Sequence, residues 1–368
     1  MADMGAAHRL AKTLLDTFGE KFAQFAIVIV AFLIGVVLFW ETAWVILIPI
    51  VFASVRRMRV PLLYLALPLA IALSTMHSFL PPHPGPTAVA DMFGASVGQA
   101  LVYGLIISIP IGLVVGLGWP HMPFVKSAKA SIPAGLVKEK EFSEDEMPGF
   151  GISLAITALP VVLIAGAAIL ELTVPQAPIT SVALAVGDAP VALLIGLMFA
   201  LGYYAIVRKI PMDELMCSCG GAIKSIAMII FIIGAGGAFK QILLEGGISE
   251  YIQSTTSTWA LSPIILAWLI AVVMRLALGS ASVAVVAAAG IALPLVEAGA
   301  VSPELMVLAV ACGSVAFSHL NDPGFWMFKE FLNMSLMDTI KVRTTYTTVL
   351  SILGLCGVLI LSLIHISE

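Results

Sequence analysis

HSFLPPHPGP, residues 77–86, lies between two apolar runs and cannot be helical throughout. Pro81, Pro82, Pro84 and Pro86 each lack an amide N–H and clash with the turn before them. A helix entering this stretch must stop there and leave backbone carbonyls and N–H groups free. Inside a membrane those groups have to meet a substrate, an ion or ordered water. A second stretch, SHLNDPG at 318–324, again joins a histidine to Pro-Gly between the apolar segments 305–317 and 325–331. Short, interrupted apolar segments are the mark of discontinuous helices and re-entrant hairpins lining a protein cavity. The competing reading of the first stretch is a rigid extracellular turn carrying surface histidines.

The rest of the chain fits a membrane setting. Of 368 residues, 60 % are hydrophobic and 11 % charged, with a mean hydropathy of +1.09. Soluble domains hold about 45–50 % apolar and about 25 % charged residues, and disordered chains combine low hydrophobicity with high charge; both classes are excluded. Net charge is -4, and no basic block exceeds Arg56, Arg57, Met58, Arg59. The concentrated positive face that binds nucleic acid is therefore missing. The 4 cysteines are too few for a disulfide scaffold. Apolar residues come in runs rather than in alternation, which excludes a transmembrane β-barrel. The fold class expected is an all-α polytopic membrane protein, with runs at 22–40, 44–54, 62–76, 98–119, 152–172, 182–207, 223–244, 261–278, 283–296, 305–317 and 347–364.

A polar stretch near 121–151, with Lys126, Lys129, Lys138, Lys140 and the acidic run 139–146, divides the chain. The expected organisation is a first transmembrane repeat at 1–119, a cytoplasmic linker at 120–151 and a second repeat at 152–365. Glu41 and the first break stand in the same order and at a similar distance as Arg275 with 279–282 and the second break. The second half carries extra apolar spans upstream, between 152 and 244, so by its internal symmetry the chain is expected to lack its N-terminal spans. Lys and Arg concentrate on inner loops. Placing the linker inside puts Arg208, Lys209, Lys341, Arg343, Arg9, Lys12, Lys21 and Arg56 to Arg59 inside as well. The loops near 173–180, 245–258 and 297–304 then lie outside and hold neither residue type. One hairpin (22–54) enters from the cytoplasm and the other (261–296) from outside, which is the logic of inverted repeats with two re-entrant hairpins and two broken helices. Residues 1–21 are polar and amphipathic, not a signal peptide. The terminal HISE is read as an expression or sequencing scar.

Ionisable groups inside the membrane cost ~2.5–3.5 kcal/mol at a helix centre, so each needs a reason. Glu41, at the first hairpin tip, is a proton or cation site, or else caps the short second helix at its positive end. His77 and His83 flank the first break as titratable or hydrogen-bonding groups, and Thr87 caps the half-helix after it or contacts substrate. Pro84 and Gly85 expose backbone. Arg275 offers a planar fork for a carboxylate; alternatively it pairs with Glu41 or Asp322, or snorkels to an interface. Gly279, Ser280 and Ser282 allow a backbone to approach a ligand at the start of the next helix, where an anion is favoured. Ser318, His319, Asn321 and Asp322 form the densest polar cluster of the second half. The neutral groups suit hydroxyls and Asp322 suits a titrating site, unless the cluster is only a turn held by Asx bonding. Asp188, Lys224 and Lys240 read as structural or interfacial. The pair Cys217 and Cys219, without a partner motif, is weak support for a metal site. No H-E-x-x-H, Walker A, G-x-S-x-G or Asp-rich diphosphate motif occurs. No enzyme activity, cofactor or metal is expected.

At these residues the chain resembles the gluconate permease family of bacterial proton symporters. The resemblance runs from Met1 to about Ser362. It is carried by FWETAWVILIPIVF (39–52), HSFLPPHPGPTAVADMF (77–93), FSEDEMPGFG (142–151), GAGGAFKQIL (234–243), RLALGSASVA (275–284) and FSHLNDPGFWMFKEF (317–331). The resemblance implies inverted repeats with paired re-entrant hairpins and broken helices, in a multi-pass protein of the bacterial cytoplasmic (inner) membrane. It implies import of small hydroxylated carboxylates with protons; gluconate is the commonest substrate, with idonate, fructuronate and D-serine permeases as relatives. Family members usually have about three helices before the point matching Met1. On this reading the hydroxyls of a sugar-acid anion would meet Ser280, Ser282, Ser318, Asn321 and the backbone at Pro84 and Gly85. Its carboxylate would meet the hairpin and half-helix N-termini, with Arg275. Glu41, Asp322 or a histidine would take the proton. One proton with one monoanion is electroneutral, so only the pH gradient would drive it, at ~1.36 kcal/mol per pH unit. The partners expected are the sugar acid, protons and the lipid bilayer, with a homo-oligomer left open. A sodium-coupled carboxylate transporter and a non-transporting truncated chain or membrane sensor stand as rivals.

Overall fold

The computed structural model describes residues 4–133, 146–174, 176–221, 223, 224, 238, 242, 245, 262–299 and 301–366. Most of the expected run 223–244, including Lys240, and most of the charged segment 138–146 lie outside the described residues. Regular structure among the described residues is helical. Five helices are long and apolar enough to cross a membrane, or six if the bent pair at the start counts as one span. The chain is therefore a multi-pass membrane protein.

Helix α1 (Ala6–Phe18) is amphipathic and buries Ala6, Ala7, Leu10 and Ala11. It turns by 113° into α2 (Ala23–Gly35). The turn is made at Gly19, whose φ of +65 lies in the left-handed region that only glycine enters at no steric cost. Helix α2 has no polar face and is buried almost all round. After a non-helical link at 36–39, α3 (Trp40–Met58) begins, with Arg56 and Arg57 in its last turn complementing the helix dipole. Glu41 sits in the first turn of α3 rather than in the link before it.

Helix α4 (Leu62–Phe79) ends at the first proline cluster, and α5 (Pro84–Phe93) resumes four residues later with proline in its first turn. Helix α6 (Val97–Gly118) is capped by Ser96, whose hydroxyl accepts the Gln99 N–H at 3.3 Å. Its 22 residues reach about 33 Å at 1.5 Å per residue, enough for the ~30 Å hydrocarbon core. A short α7 (Pro123–Ser127) follows.

In the second half, α8 (Phe150–Thr173) is followed by α9 (Pro178–Gly187) and α10 (Ala189–Gly202). The apolar run at 182–207 had suggested one span. Instead the chain is interrupted at Asp188, which takes an extended conformation, and Pro190 in the next turn has no N–H to continue the first helix. Helices α11 (Pro263–Leu278) and α12 (Ala281–Glu297) pack against each other and are joined only by Gly279 and Ser280. The 16 residues of α11 reach about 24 Å, short of the ~30 Å core. Gly279 has φ +76, and a Cβ there would run into the Asn321 carbonyl, so glycine alone fits this turn. Helix α13 (Pro303–Ser314) ends at the second break, and α14 (Pro323–Phe331) resumes beyond it. A short α15 (Leu336–Thr339) and a π-helical turn (Ile340–Thr344) lead into α16 (Thr345–Ile366).

An apolar 18-residue stretch of the broken segment Leu62–Phe93 is 94% buried inside the protein, whereas that of Ala189–Val207 is 17% buried. The former lies at the centre and the latter at the apolar periphery. Helix α4 packs on α2, α3 and α6; α5 packs on α12; α13 packs on α11 and α16; α14 packs on α3. These contacts bring the two breaks, the start of α3 and the α11–α12 turn to one place.

Candidate functional site

A polar cavity of about 70 Å³ lies at that meeting point. This is well above the ~10–15 Å³ that a single buried water needs by this kind of measure. Four charged side chains border it: Glu41, Arg275, Asp322 and Arg343. Arg275, Arg343 and Asp322 are 3%, 4% and 6% exposed. Charges so deeply buried persist only when paired.

Asp322 is the hub of the pairing. It caps α14, its Oδ1 accepting the Gly324 N–H at 2.9 Å. Its Oδ2 accepts from Arg275 Nη2 at 2.6 Å and from the Ser318 hydroxyl, with Arg343 Nη2 at 3.7 Å. Ser318 in turn accepts from Arg343 Nε at 2.9 Å, and its backbone is held by Thr347 and Thr344 at 3.2 and 2.6 Å. Arg343 Nη1 donates to the Tyr346 hydroxyl at 3.1 Å. The Arg343 guanidinium lies over the Trp40 ring, 4.2 Å from its centroid, and 5.5 Å from that of Phe328. Gly324 permits this packing, because a Cβ there would stand 2.6 Å from Arg343 Nη2.

Arg275 is differently placed. Its Nε donates to the Ala316 carbonyl at 3.3 Å and its Nη2 to Asp322, but its Nη1 is buried with no partner. Arg275 borders the cavity, and a guanidinium with a donor left unpaired attracts an anion. The N-termini of α3, α12 and α14 border the same space through Glu41, Ser280, Ser282 and Pro323. Their dipoles add to the pull on negative charge. Glu41 forms no ion pair among the described residues.

The neutral wall is formed by α4, with Ser74, His77 and Ser78, and by Thr347 of α16. His77 Nδ1 is buried and unpartnered. His83 stands behind His77, ring centroids 4.7 Å apart, and its Nε2 donates to the Gly35 carbonyl at 2.6 Å. This bond ties the first break to the end of α2. Gly85 lets α5 approach α12, since a Cβ would meet Val285 Cγ1 at 2.8 Å.

Of the residues singled out from sequence, Glu41, His77, Arg275, Ser280, Ser282, Ser318 and Asp322 border the cavity. His83 and Gly279 lie in the adjoining break and turn, outside its lining; Pro84, Gly85 and Thr87, expected in the break, instead form the first turn of α5, where Pro84 starts the helix, and also lie outside the lining, with Thr87 Oγ1 buried without a partner. His319 donates to the Phe317 carbonyl at 2.7 Å, and Asn321 to the Leu276 carbonyl at 2.9 Å. Both also stand outside the lining, and Asn321 fastens the second break to α11. Sequence reading missed Arg343, Trp40, Ser74, Ser78 and Thr347 as site residues. The spacing of Arg343 and Thr347, four apart, does place them on one helical face. Among the described residues no group of three or more His, Cys, Asp or Glu could hold a metal ion.

Comparison with known proteins bears on this site. Residues 1–364 match the family model of the GntP family permeases. The chain is 45% identical over 365 residues to the high-affinity gluconate transporter of Escherichia coli K12, covering 99% of this chain and 83% of that protein. It is 43% identical over 378 residues to a gluconate permease of Bacillus subtilis 168, with the same coverage. It is 42% identical over 360 residues to the Gnt-II system L-idonate transporter of Escherichia coli K12, covering 98% of this chain and 82% of that one. In fold it is similar to the YdaH transporter of Alcanivorax borkumensis, with a TM-score of 0.60 at 16% identity over 97% of this chain and 82% of that one. The chain belongs to the GntP family of permeases, which are membrane transporters and not enzymes.

Proposed function

We propose that this chain imports gluconate or a closely related sugar acid across the bacterial inner membrane together with protons. The observation that carries the proposal is the unspent Arg275 Nη1 beside a cavity whose other wall is neutral and hydroxyl-rich. A polyhydroxy monocarboxylate has matching ends: a carboxylate for the guanidinium, and hydroxyls for Ser280, Ser282, His77 and Ser78. The names of the relatives, gluconate and L-idonate transporters, agree with that chemistry.

Charge arithmetic supports the coupling. With His77 neutral, Arg275 and Arg343 against Asp322 leave one positive charge, and an ionised Glu41 cancels it. Protonating Glu41 exposes that charge to a monoanion, so proton and substrate enter as a neutral pair. Asp322, already bound by Ser318 and two arginines, serves as the fixed counter-ion and Glu41 as the proton carrier. The organisation into repeats at 1–119 and 152–365, with hairpins entering from opposite faces, supplies two-sided access to one site.

The test is uptake into proteoliposomes with the outside acidified. Wild type accumulates gluconate. Glu41→Gln, locked in the neutral form, keeps gluconate/gluconate exchange and loses accumulation. Accumulation by Glu41→Gln at the wild-type level would remove Glu41 from the coupling role.

A further inference from the structure

The two arginines that border the cavity are not equivalent. Arg343 is tied to its own surroundings: Nε donates to Ser318, Nη1 to Tyr346, and Nη2 faces Asp322 at 3.7 Å as an ion pair. Its face is covered by Trp40 and Phe328. Asp322 thus places a carboxylate of the protein itself between the two guanidinium groups, nearest to Arg275. Arg275 is less enclosed by partners, its Nη1 being buried with none.

We propose that Asp322 is a specificity-determining residue: standing between the two arginines as a built-in carboxylate, it cancels one of their two charges and restricts the cavity to substrates with a single carboxylate. The proposal rests on the sugar-acid reading above. A diacid would bring a second negative charge into a cavity where Asp322 already cancels one of the two arginine charges and which Glu41, a like charge when ionised, also borders. An unpaired buried charge of this kind is the means by which a site rejects a near-identical ligand. Replacing Asp322 by asparagine keeps an oxygen for the Gly324 N–H and frees both arginines, so the site gains one positive charge and room for a second carboxylate partner.

The experiment is competition binding to the purified full chain with two probes of equal length: gluconate, and glucarate, which carries a carboxylate at both ends. Wild type is expected to bind glucarate at least about a hundredfold more weakly than gluconate. Asp322→Asn should shrink that ratio by at least about tenfold, by gaining glucarate. Equal binding of the two by wild type overturns the proposal, as does a folded Asp322→Asn protein with the wild-type ratio. Should Asp322→Asn fail to fold, the wild-type ratio decides alone. Wild-type protein that binds neither probe would instead defeat the sugar-acid reading itself.

Discussion

The two helix breaks hold their polar groups by different physics. At 80–83 the bonding is neutral: the His83 N–H meets the Leu80 carbonyl at 3.2 Å, and its ring meets the Gly35 carbonyl at 2.6 Å. The rings of Phe39, His77 and His83 pack edge to face or tilted around it. At 315–322 the bonding is ionic: Asp322, Arg275 and Arg343 are locked through Ser318 in a region almost closed to solvent. A neutral break loses one hydrogen bond when a partner is removed, whereas an ionic one is left with an uncompensated charge. On the proposed function, the first break holds the shape of the site and the second holds its charge.

The harshest way to break this comparison is Arg275→Gln. It strips Asp322 of its nearest partner, and the expected cost is about 3–5 kcal/mol of stability together with complete loss of uptake. Arg275→Lys should not restore uptake, because an ammonium has no planar fork to serve two acceptors at once. Thermal melts and uptake at unchanged wild-type values would show that the ionic network carries neither stability nor substrate.

His83→Leu probes the neutral break and should be milder. Leaving the Gly35 carbonyl unbonded costs about 1–3 kcal/mol, read as a lower melting temperature, while the preference for one carboxylate over two stays as in wild type. A change in that preference would mean that the first break also sets charge. The smallest effect is expected from Gly85→Ala, where the new methyl meets the stiff Val285 side chain at 2.8 Å. Overpacking there should cost about 1 kcal/mol and weaken gluconate binding only slightly.

Much of this was legible in the sequence. Prolines at 81–86 and Pro-Gly at 323–324 interrupt apolar runs, and no membrane helix passes through them unbroken. Arg275, Asp322 and Ser318 stand out because polar groups there need partners, and the sequence admits the pairing of Arg275 with Asp322 as one alternative to a ligand. Arg343 was not legible. It follows Lys341 just before the last apolar span and reads as an ordinary inner-face charge. Only the tertiary fold, by laying Trp40 beneath it and Ser318 beside it, turns it inward. Ser74 and Ser78 were hidden inside an apolar helix, where a hydroxyl bonded to the carbonyl four residues back, as Ser74 is, attracts no notice. Within the second break, sequence could not tell inward from outward side chains: Ser318 and Asp322 border the cavity, whereas His319 and Asn321 bond backbone carbonyls outside its lining. The break at Asp188 was concealed by apolar residues on both sides.

The central claim is that the unspent Arg275 donor receives the carboxylate of a sugar acid in this cavity. Equilibrium binding of gluconate and of gluconamide, its neutral isostere, to the purified chain tests it most directly. The account predicts that wild type binds gluconate and not gluconamide over the same concentration range, and that Arg275→Gln binds neither. Gluconamide binding as tightly as gluconate would contradict it.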